Sequence, residues 1–500
     1  MKRRMRTFNL YELLQHNALV RGEAPAAISA ERTVTHGQFL QQVDRLAGGL
    51  NSRGVGKGDR VCVLAQNSIE YLELYGACAR SGAIAYPINW RLTAAEVSGV
   101  IALAEPKMLV VSAANMDQLA ESDLSAVPER IVMSTGAKGF TPFGQLYADP
   151  CPAAEVSSDD PFAIISTAAT AGAPRGAILT HANLIFAGYQ AITALGLSAS
   201  DRHLAALPLF HIASLGLSLA TMQAGGANVV METFDANAAA TMMDAHNVSL
   251  IPDFPPILSM LLQAREKTGG KWESLRYVFG LDAPDTIKQL LRHTHAQFWT
   301  GFGQAETSGF GVIMNWDEKP GAAGRALPLA QVRCVDDGGE DVPVGADGEI
   351  VMRGPLVFAG YWRDAVATDF AFRQGWHHTG DVGRFDDDGY LYYRGRKPEK
   401  ELIKTGGENV YPAEVEGAIR SMHQVAAVCV IGVADQKWGE AVKAVVELEV
   451  GASLGADKII SAVASQIASY KKPRVVEFVS ALPRTAQGEI DRAAVKAAHG

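Results

Sequence analysis

The sequence lacks the hallmarks of membrane, secreted and nucleic-acid-binding proteins. No apolar run reaches the ~18 residues that a membrane span requires, and the basic start, Met1 to Arg6, is not followed by the apolar region of a secretory signal. The five cysteines are scattered and never form a C-x-x-C pair, which favours free thiols in a reducing cytoplasm. A formal charge of −9 without a basic stripe argues against nucleic acid as a partner. We therefore expect a soluble cytoplasmic enzyme.

The 500 residues are too many for one ordinary core, and their pattern changes along the chain. Short apolar strands alternate with helical stretches from about residue 60 to residue 303, as in the predicted helices Ile69–Ser81 and Ala94–Ala104, which is typical of parallel sheets covered by helices. From about residue 325, Asp-Gly turns separate alternating apolar and polar residues, as in antiparallel hairpins. The triplet Asp386-Asp387-Asp388 is interpreted as such a turn, since the spacing of a calcium loop is absent.

A densely charged stretch with Pro398, Gly406 and Gly407 precedes a helix, two strands, a helix and a strand within roughly a hundred residues, a length that folds alone. We therefore predict an α/β protein. Its large N-terminal body (1–397) has mainly parallel sheets covered by helices and a small β-barrel-like portion, and its C-terminal α+β lid (398–500) is small and mobile.

Residues 165–184, ISTAATAGAPRGAILTHANL, follow an apolar strand and lead to a helical pattern that Thr180 can cap. A strand, a glycine-containing loop and a helix form the usual cradle for a phosphate, because backbone N–H groups favour anions. The loop lacks the Walker spacing G-x-x-x-x-G-K-[ST]. Taken alone, it fits a plain strand-to-helix turn equally well.

Several short motifs, called phrases below, occur along the chain in the order that they have in a known superfamily. In this the chain resembles the adenylate-forming superfamily of acyl-CoA synthetases, aryl-CoA ligases, luciferases and peptide-synthetase adenylation domains. The resemblance runs nearly end to end. It rests on this loop and on the phrases LPLFHI (207–212), FGQAE (302–306), WHHTGD (376–381), YRGRK (393–397), IKTGGENVYPAEVE (403–416) and LPRTAQGEIDR (482–492).

The resemblance implies that the chain binds ATP and AMP with Mg²⁺. In it, Glu306 coordinates Mg²⁺ between phosphates, and Asp381 holds both ribose hydroxyls, which a carboxylate can accept together. Further nucleotide contacts are implied for the phosphate loop, the adenine and the ribose, at Thr167, Thr170, Gly172, Arg175, Phe302, Gly303 and Arg396.

The resemblance also implies an acid and a thiol as the other substrates. His211 stands where the family gates the acyl pocket, although a core histidine satisfied by hydrogen bonds is the alternative. Gly406 and Gly407 let the pantetheine chain of coenzyme A pass close to the backbone, which a Cβ would block. Together these parts imply an AMP-forming ligase that makes an acyl-adenylate from ATP and then an acyl-CoA.

The sequence departs from the family pattern where phosphate chemistry is concerned. The loop carries fewer hydroxyls, and Ala305 replaces a threonine. Glu489 occupies the place of the adenylation lysine, where an anion repels both the carboxylate and the α-phosphate. Lys404 is taken as the catalytic cation that replaces it, with Arg175, Lys400 and Lys471 as the other candidates.

Three hypotheses follow. The leading one is an acyl- or aryl-CoA ligase acting on an aromatic or medium acyl acid, with no nucleic acid or integral membrane partner and with a homodimer left open. A weakened adenylator acting mainly in thioester chemistry is the second. A non-catalytic nucleotide- or acyl-binding sensor is the third, and it would not need the Gly406-Gly407 loop.

Overall fold

The computed structural model describes residues 8–167, 175–397, 402–485 and 488–500. The helices within these ranges are α1 Leu10–Arg21, α2 His36–Ser52, α3 Ile69–Ser81, α4 Ala94–Ala104, α5 His181–Leu195, α6 Ile212–Gln223, α7 Ala236–Ala245, α8 Ile257–Thr268, α9 Pro284–His293, α10 Ala365–Ala371, α11 Pro412–Arg420, α12 Ala456–Gln466 and α13 Arg492–His499.

The strands of the N-terminal body are β1 Pro25–Ile28, β2 Thr33–Thr35, β3 Arg60–Leu64, β4 Ile84–Pro87, β5 Met108–Ser112, β6 Glu129–Met133, β7 Thr141–Pro142, β8 Pro161–Thr167, β9 Arg175–Thr180, β10 Arg202–Ala205, β11 Ala227–Val230, β12 Leu250–Asp253, β13 Tyr277–Gly280, β14 Gln297–Gln304, β15 Gly309–Asn315, β16 Arg325–Ala326, β17 Gln331–Val335, β18 Gly348–Arg353, β19 His377–Phe385 and β20 Leu391–Arg396. Those of the C-terminal part are β21 Ile403–Thr405, β22 Glu408–Val410, β23 Val425–Asp435, β24 Gly439–Leu448 and β25 Val475–Val479.

Two large sheets form the body, and both are mainly parallel. One has the order β7-β6-β5-β3-β4-β8-β9, and the other has the order β16-β15-β14-β13-β12-β10-β11-β1-β2. Successive residues of β3 enter different cores, since Val61 and Val63 pack with α1–α3 while Cys62 and Leu64 pack with α4. Burial on both faces explains why such strands are apolar throughout rather than alternating.

The rest of the chain forms two smaller sheets. Strands β17 to β20 pair in order and antiparallel, so the predicted barrel-like portion is a four-stranded sheet. The Asp386–Asp388 turn joins β19 to β20, with Lys319 2.6 Å from Asp386 and 2.7 Å from Asp388. In the C-terminal part, β22-β21-β24-β23 with β25 beside β24 pack on α11 and α12. The predicted α/β fold is confirmed, whereas the boundary at residues 397/398 stays a prediction.

The structure corrects the local prediction for the glycine-containing loop. Arg175–Thr180 is a strand that pairs antiparallel with β8, so the loop joins two strands and does not lead directly into a helix. Thr180 does cap α5, accepting from the Asn183 N–H at 3.1 Å. A helix N-terminus therefore does not point from this loop toward a phosphate.

Helices in the described ranges include none that is long and apolar enough to cross a membrane. The five cysteines all lie in those ranges, and no disulfide joins them.

Candidate active site

The candidate site lies at the carboxyl ends of β12, β13 and β14, where open α/β sheets commonly bind ligands. The loop after β12, Phe254-Pro255, lies under the turn between β21 and β22 of the C-terminal part. In that turn Gly406 has φ +59° and Gly407 has φ +81°, conformations that favour glycine. A Cβ on Gly407 would lie 3.3 Å from Cβ of Phe254, and one on Gly406 would lie 2.7 Å from the Trp438 ring.

Glu408 follows this turn and joins the C-terminal part to the body. Its carboxylate accepts from Nδ2 of Asn89 at 3.2 Å, lies 3.1 Å from Nε2 of His211, and forms an ion pair with Arg91. Burial by itself would raise the pKa of Glu408, but His211 and Arg91 outweigh it and hold the pKa below its ordinary value. The predicted gate residue His211 is therefore held by a carboxylate of the C-terminal part.

His211 precedes α6 and adjoins an apolar pocket. Ile212 and Gly216 of α6 line this pocket with α5, Phe279 and Phe310, around about 460 Å³ of empty space including its open mouth. Phe279 and Phe310 meet edge to face, with ring centroids 4.4 Å apart. The residues that line it are all uncharged in the part of the chain that the structure describes.

Asp381 is 4% exposed and is surrounded by donors. Nε of Arg396 lies 3.3 Å from its Oδ1, and the Tyr393 hydroxyl lies 3.5 Å from the same oxygen. Gln304 donates to its Oδ2 and, at 3.0 Å, to the carbonyl oxygen of Thr379. The predicted ribose residues Asp381 and Arg396 therefore lie side by side.

Phe302 and Gly303 lie on β14 beside this carboxylate. The Phe302 ring stacks on Tyr393, with centroids 6.2 Å apart and planes 28° apart. Gly303 has no room for a side chain, because a Cβ would lie 1.9 Å from the carbonyl oxygen of Gly309. Phe302, the predicted adenine residue, thus adjoins Asp381 through Tyr393, and Gly303 follows it on β14.

Glu306 is 5% exposed and accepts from the Tyr361 hydroxyl at 2.9 Å. Burial, together with this carboxylate, raises the pKa of Tyr361. Arg175 lies over the same ring at 5.4 Å, and its Nε is 3.1 Å from Asp364. Arg175 is thus already paired with a carboxylate, which weakens its case as the replacement cation.

Thr167 ends β8, and its buried hydroxyl has no hydrogen-bond partner among the residues that the structure describes. An orphaned hydroxyl at the entry to the loop is a donor that a phosphate oxygen would satisfy. The other predicted loop residues, Thr170 and Gly172, lie outside the described residues, as does Lys400.

The remaining candidate cations take different positions. Lys404 has an exposed side chain on β21, next to the Gly406-Gly407 turn, and its backbone N–H donates to Glu440 at 2.7 Å. Lys471 is 5% exposed and is bound between two carboxylates, Glu96 and Glu414. Glu489 is exposed, and its backbone oxygen accepts from the Thr485 N–H at 2.7 Å.

Gln304, Tyr361, Tyr393 and Glu408 were not singled out from the sequence. Gln304, Tyr393 and Glu408 fall inside the phrases FGQAE, YRGRK and IKTGGENVYPAEVE, so their positions could have been flagged. Nothing in the sequence pairs Glu408 with Arg91, which is 317 residues away.

Comparison with known proteins identifies the family. The model of the AMP-binding enzyme family matches residues 14–362, and that of the AMP-binding enzyme C-terminal domain matches residues 414–489. The chain belongs to this family. The resemblance to acyl- and aryl-CoA synthetases that the motif order carries is confirmed.

Two curated relatives illustrate the similarity. An indoleacetate–CoA ligase of Aromatoleum aromaticum is 35% identical over 474 residues, 92% of each chain. A feruloyl-CoA synthase of an Amycolatopsis species is 33% identical over 93% of this chain and 94% of its own. This chain is an enzyme of the same acid–CoA ligase type.

One solved relative has been seen in two complexes. The o-succinylbenzoate CoA synthetase of Bacillus subtilis, as a double mutant bound with its product analogue, is similar with a TM-score of 0.86 and 27% identity, covering 97% of this chain and 98% of that one. The same synthetase with its acyl-adenylate intermediate gives a TM-score of 0.70 at 27% identity over 97% of each chain.

Proposed function

We propose that the chain joins an aromatic or medium acyl acid, with no charge beyond the reacting carboxylate, to coenzyme A. In the first half-reaction the carboxylate oxygen attacks the α-phosphorus of ATP, giving an acyl-adenylate and releasing pyrophosphate. In the second, the thiol sulfur attacks the acyl carbon, AMP leaves with its oxygen, and the thiol proton is released. The acid, ATP and coenzyme A are all consumed as substrates.

The observation that carries the proposal is the seating of the Gly406–Glu408 turn against His211, the residue just before Ile212 of the apolar pocket. Glu408 bonds His211 beside the pocket, while Gly406 and Gly407 lie over Phe254-Pro255 without side chains. A backbone-lined approach to a pocket mouth suits a thin pantetheine arm. The higher similarity to the product-analogue complex than to the acyl-adenylate complex supports the same assignment, a lid posed for thiol transfer.

The adenosine half of the site rests on Asp381 and Phe302. A buried carboxylate with two oxygens accepts both hydroxyls of a ribose, and an aromatic ring beside it offers a face for adenine. The neighbouring Arg396 pairs with the carboxylate and holds it in place. This arrangement would hold AMP in both half-reactions, because the nucleotide remains bound between them.

Glu306 would hold the magnesium ion. Mg²⁺ is usually bound by one or two carboxylates together with substrate phosphates, so one buried carboxylate beside a hydroxyl fits it. No cluster of three or more metal-ligating side chains occurs among the described residues, which agrees with an ion that arrives on the nucleotide. When bound, the ion neutralises phosphate charge. Tyr361 fixes the orientation of the Glu306 carboxylate.

The pocket supports the acid class. The pocket is lined by apolar and small side chains, which suits an apolar acyl group, and a second carboxylate would meet no cation there. Two relatives are named for indoleacetate and for the feruloyl group, and both of these carry an aromatic ring. The Phe279–Phe310 pair would contact such a ring edge to face.

The lid face beside the turn supports coenzyme A. The Arg474 guanidinium lies 4.5 Å from the Trp438 ring centroid and the Lys437 ammonium lies 5.0 Å from it. Two cations on an aromatic ring next to Gly406 would attract the anionic nucleotide end of coenzyme A.

The test is pyrophosphate release from ATP with a panel of acids, with and without coenzyme A. We expect release with arylacetate, cinnamate and medium-chain acids, little with dicarboxylates, and thioester formation only when coenzyme A is added. Thioester formed solely from a supplied acyl-adenylate would favour the weakened adenylator. Nucleotide binding without either product would favour the sensor and overturn the proposal.

A further inference from the structure

The body helix α4 begins with a hydrogen-bonded capping box. The Glu96 N–H donates to the Thr93 hydroxyl at 3.4 Å, and Oε2 of Glu96 accepts from the Thr93 N–H at 2.8 Å and from its hydroxyl at 3.0 Å. Such a box satisfies N–H groups that a helix N-terminus leaves without intrahelical partners. By itself it explains why a glutamate stands at position 96.

The same carboxylate also bonds the C-terminal part. Its Oε2 accepts from the Ala468 N–H at 3.0 Å, and its Oε1 accepts from the Lys471 ammonium at 2.6 Å. These two residues flank the short turn between α12 and β25, 372 and 375 positions away in sequence. A capping box needs neither bond, so the carboxylate has a second role.

Lys471 is nearly enclosed by charge of the opposite sign. Its ammonium also lies 2.8 Å from Oε2 of Glu414 on α11, and its side chain is 6% exposed. Burial lowers the pKa of Lys471, but Glu414 and Glu96 outweigh it and raise the pKa. Without the body's Glu96, the lid would keep one pair, Lys471–Glu414. Without Lys471, two carboxylates would face each other and repel.

We propose that Glu96 is a positioning residue for thiol transfer, a body carboxylate that holds the lid in the pose in which the Gly406–Glu408 turn reaches the site. The inference rests on the proposed function, because the lid must leave this pose for adenylate formation. Glu408 of the lid bonds to the body and Glu96 of the body bonds to the lid, so two carboxylates, one from each part, hold the lid at two points. The bonds of Glu96 to Ala468 and Lys471 then bear on the second half-reaction and not on the first.

The test is Glu96→Gln measured on each half-reaction separately. Glutamine also serves in a capping box, so α4 keeps its start while the charge that meets Lys471 is lost. We expect transfer from a supplied acyl-adenylate to coenzyme A to slow by roughly tenfold, the effect of one hydrogen bond to a charged group. Acyl-adenylate formation without coenzyme A should stay within about twofold of the parent enzyme, since the expected loss is confined to the docked pose.

Glu12→Gln is the matched control. Glu12 closes the capping box of α1 by accepting from the Asn9 N–H at 2.8 Å. Its substitution by glutamine is the same chemical change in a capping box of another body helix. It should leave both half-reactions unchanged. Lys471→Gln removes the lid partner of the Glu96–Lys471 ion pair. In the double variant with Glu96→Gln, the two losses in the rate of thiol transfer should not add.

Equal losses in both half-reactions for Glu96→Gln, or additive effects in the double variant, would overturn the proposal and leave only a capping role. Fluorescence transfer between dyes on the body and on the lid supplies a readout that needs no catalysis. We expect Glu96→Gln to reduce the docked population, and an unchanged population would overturn the proposal. An enzyme that forms neither adenylate nor thioester, yet whose dye distance shifts in Glu96→Gln, would refute the proposed function while supporting this docking.

Discussion

By its motif order the chain is expected to carry Glu489 in the place of the adenylation lysine, which makes Lys404→Ala the most informative substitution. Adenylate formation brings a carboxylate to a triphosphate, so a cation at the reacting groups lowers the barrier. Glu489 cannot supply it. Arg175 is paired with Asp364, and Lys471 is held by Glu96 and Glu414 in this pose. Lys404 is exposed on the lid strand β21, and we predict that it supplies the charge when the lid takes the pose for adenylate formation.

The size of the effect follows from the position of Lys404. Its side chain is exposed on β21, and replacement of such a side chain changes the free energy of unfolding by no more than about 0.5 kcal/mol. Removal of one preorganised electrostatic donor costs about 2.7–4 kcal/mol of transition-state stabilisation. We therefore expect acyl-adenylate formation to fall by about 100- to 1,000-fold, at about 1.36 kcal/mol per tenfold, in a protein that melts normally.

The assay is single-turnover formation of the acyl-adenylate, with Lys404→Arg to retain the charge and Lys458→Ala, an exposed lysine on α12, as the matched control. Lys404→Arg should keep much of the rate, and Lys458→Ala all of it. Glu489→Lys is measured beside them. An undiminished rate in Lys404→Ala, with a large rise in Glu489→Lys, would refute the relocated cation and identify a weakened adenylator.

Four further substitutions test other parts of the site. Asp381→Ala should weaken AMP binding by about 1.5–3 kcal/mol in calorimetry, the range for hydrogen bonds to a charged group; an unchanged affinity would remove Asp381 from the ribose site. Gly407→Val places a branched side chain against Phe254 at a positive φ, so thioester formation should fall while pyrophosphate release persists, and a parallel loss of both would make Gly407 a structural turn only. Gly216→Leu should fill the pocket and raise the KM of bulky aromatic acids more than that of short acids, and a uniform change would place the acid elsewhere. Burial, together with Asp282, raises the pKa of Asp253 well above its ordinary value, so the folded protein favours the protonated carboxyl. The stability that Asp253 contributes is therefore lost progressively as pH rises above about 4, the pKa of an unfolded aspartate. Asp253→Asn should therefore gain melting temperature relative to the parent as pH rises from 5 to 9, and a constant difference would contradict the assignment.

Much of the fold could be predicted because its signals are local. The helices Ile69–Ser81 and Ala94–Ala104 have the bounds that the sequence predicts, since Ser68 and Thr93 cap them through bonds made within three residues. The strand Arg175–Thr180 was missed because its pairing with β8 decides its conformation, and the short segment has no clear alternation of its own.

The candidate site likewise has residues that local motifs predict and contacts that they do not. Asp381, Arg396 and Phe302 could be singled out because each stands in a motif of fixed spacing, and the structure brings them close together through Tyr393. The contacts of Glu408 with Arg91 and His211 join residues 317 and 197 positions apart, and no local pattern encodes such a pair. Sequence therefore indicates which groups react, whereas the structure indicates what holds them together.

Two polar contacts between the lid and the body share one short segment of the body. Asn89 and Arg91 hold Glu408, and Glu96, five residues further on, holds Ala468 and Lys471. These partners are mostly charged, and such bonds can re-form with water or other ions at modest net cost, unlike a buried apolar interface. A lid that must occupy two poses in each turnover needs neither pose to be much more stable than the other. A polar landing segment on the body meets that requirement, because it fixes the orientation of the lid while leaving it able to depart.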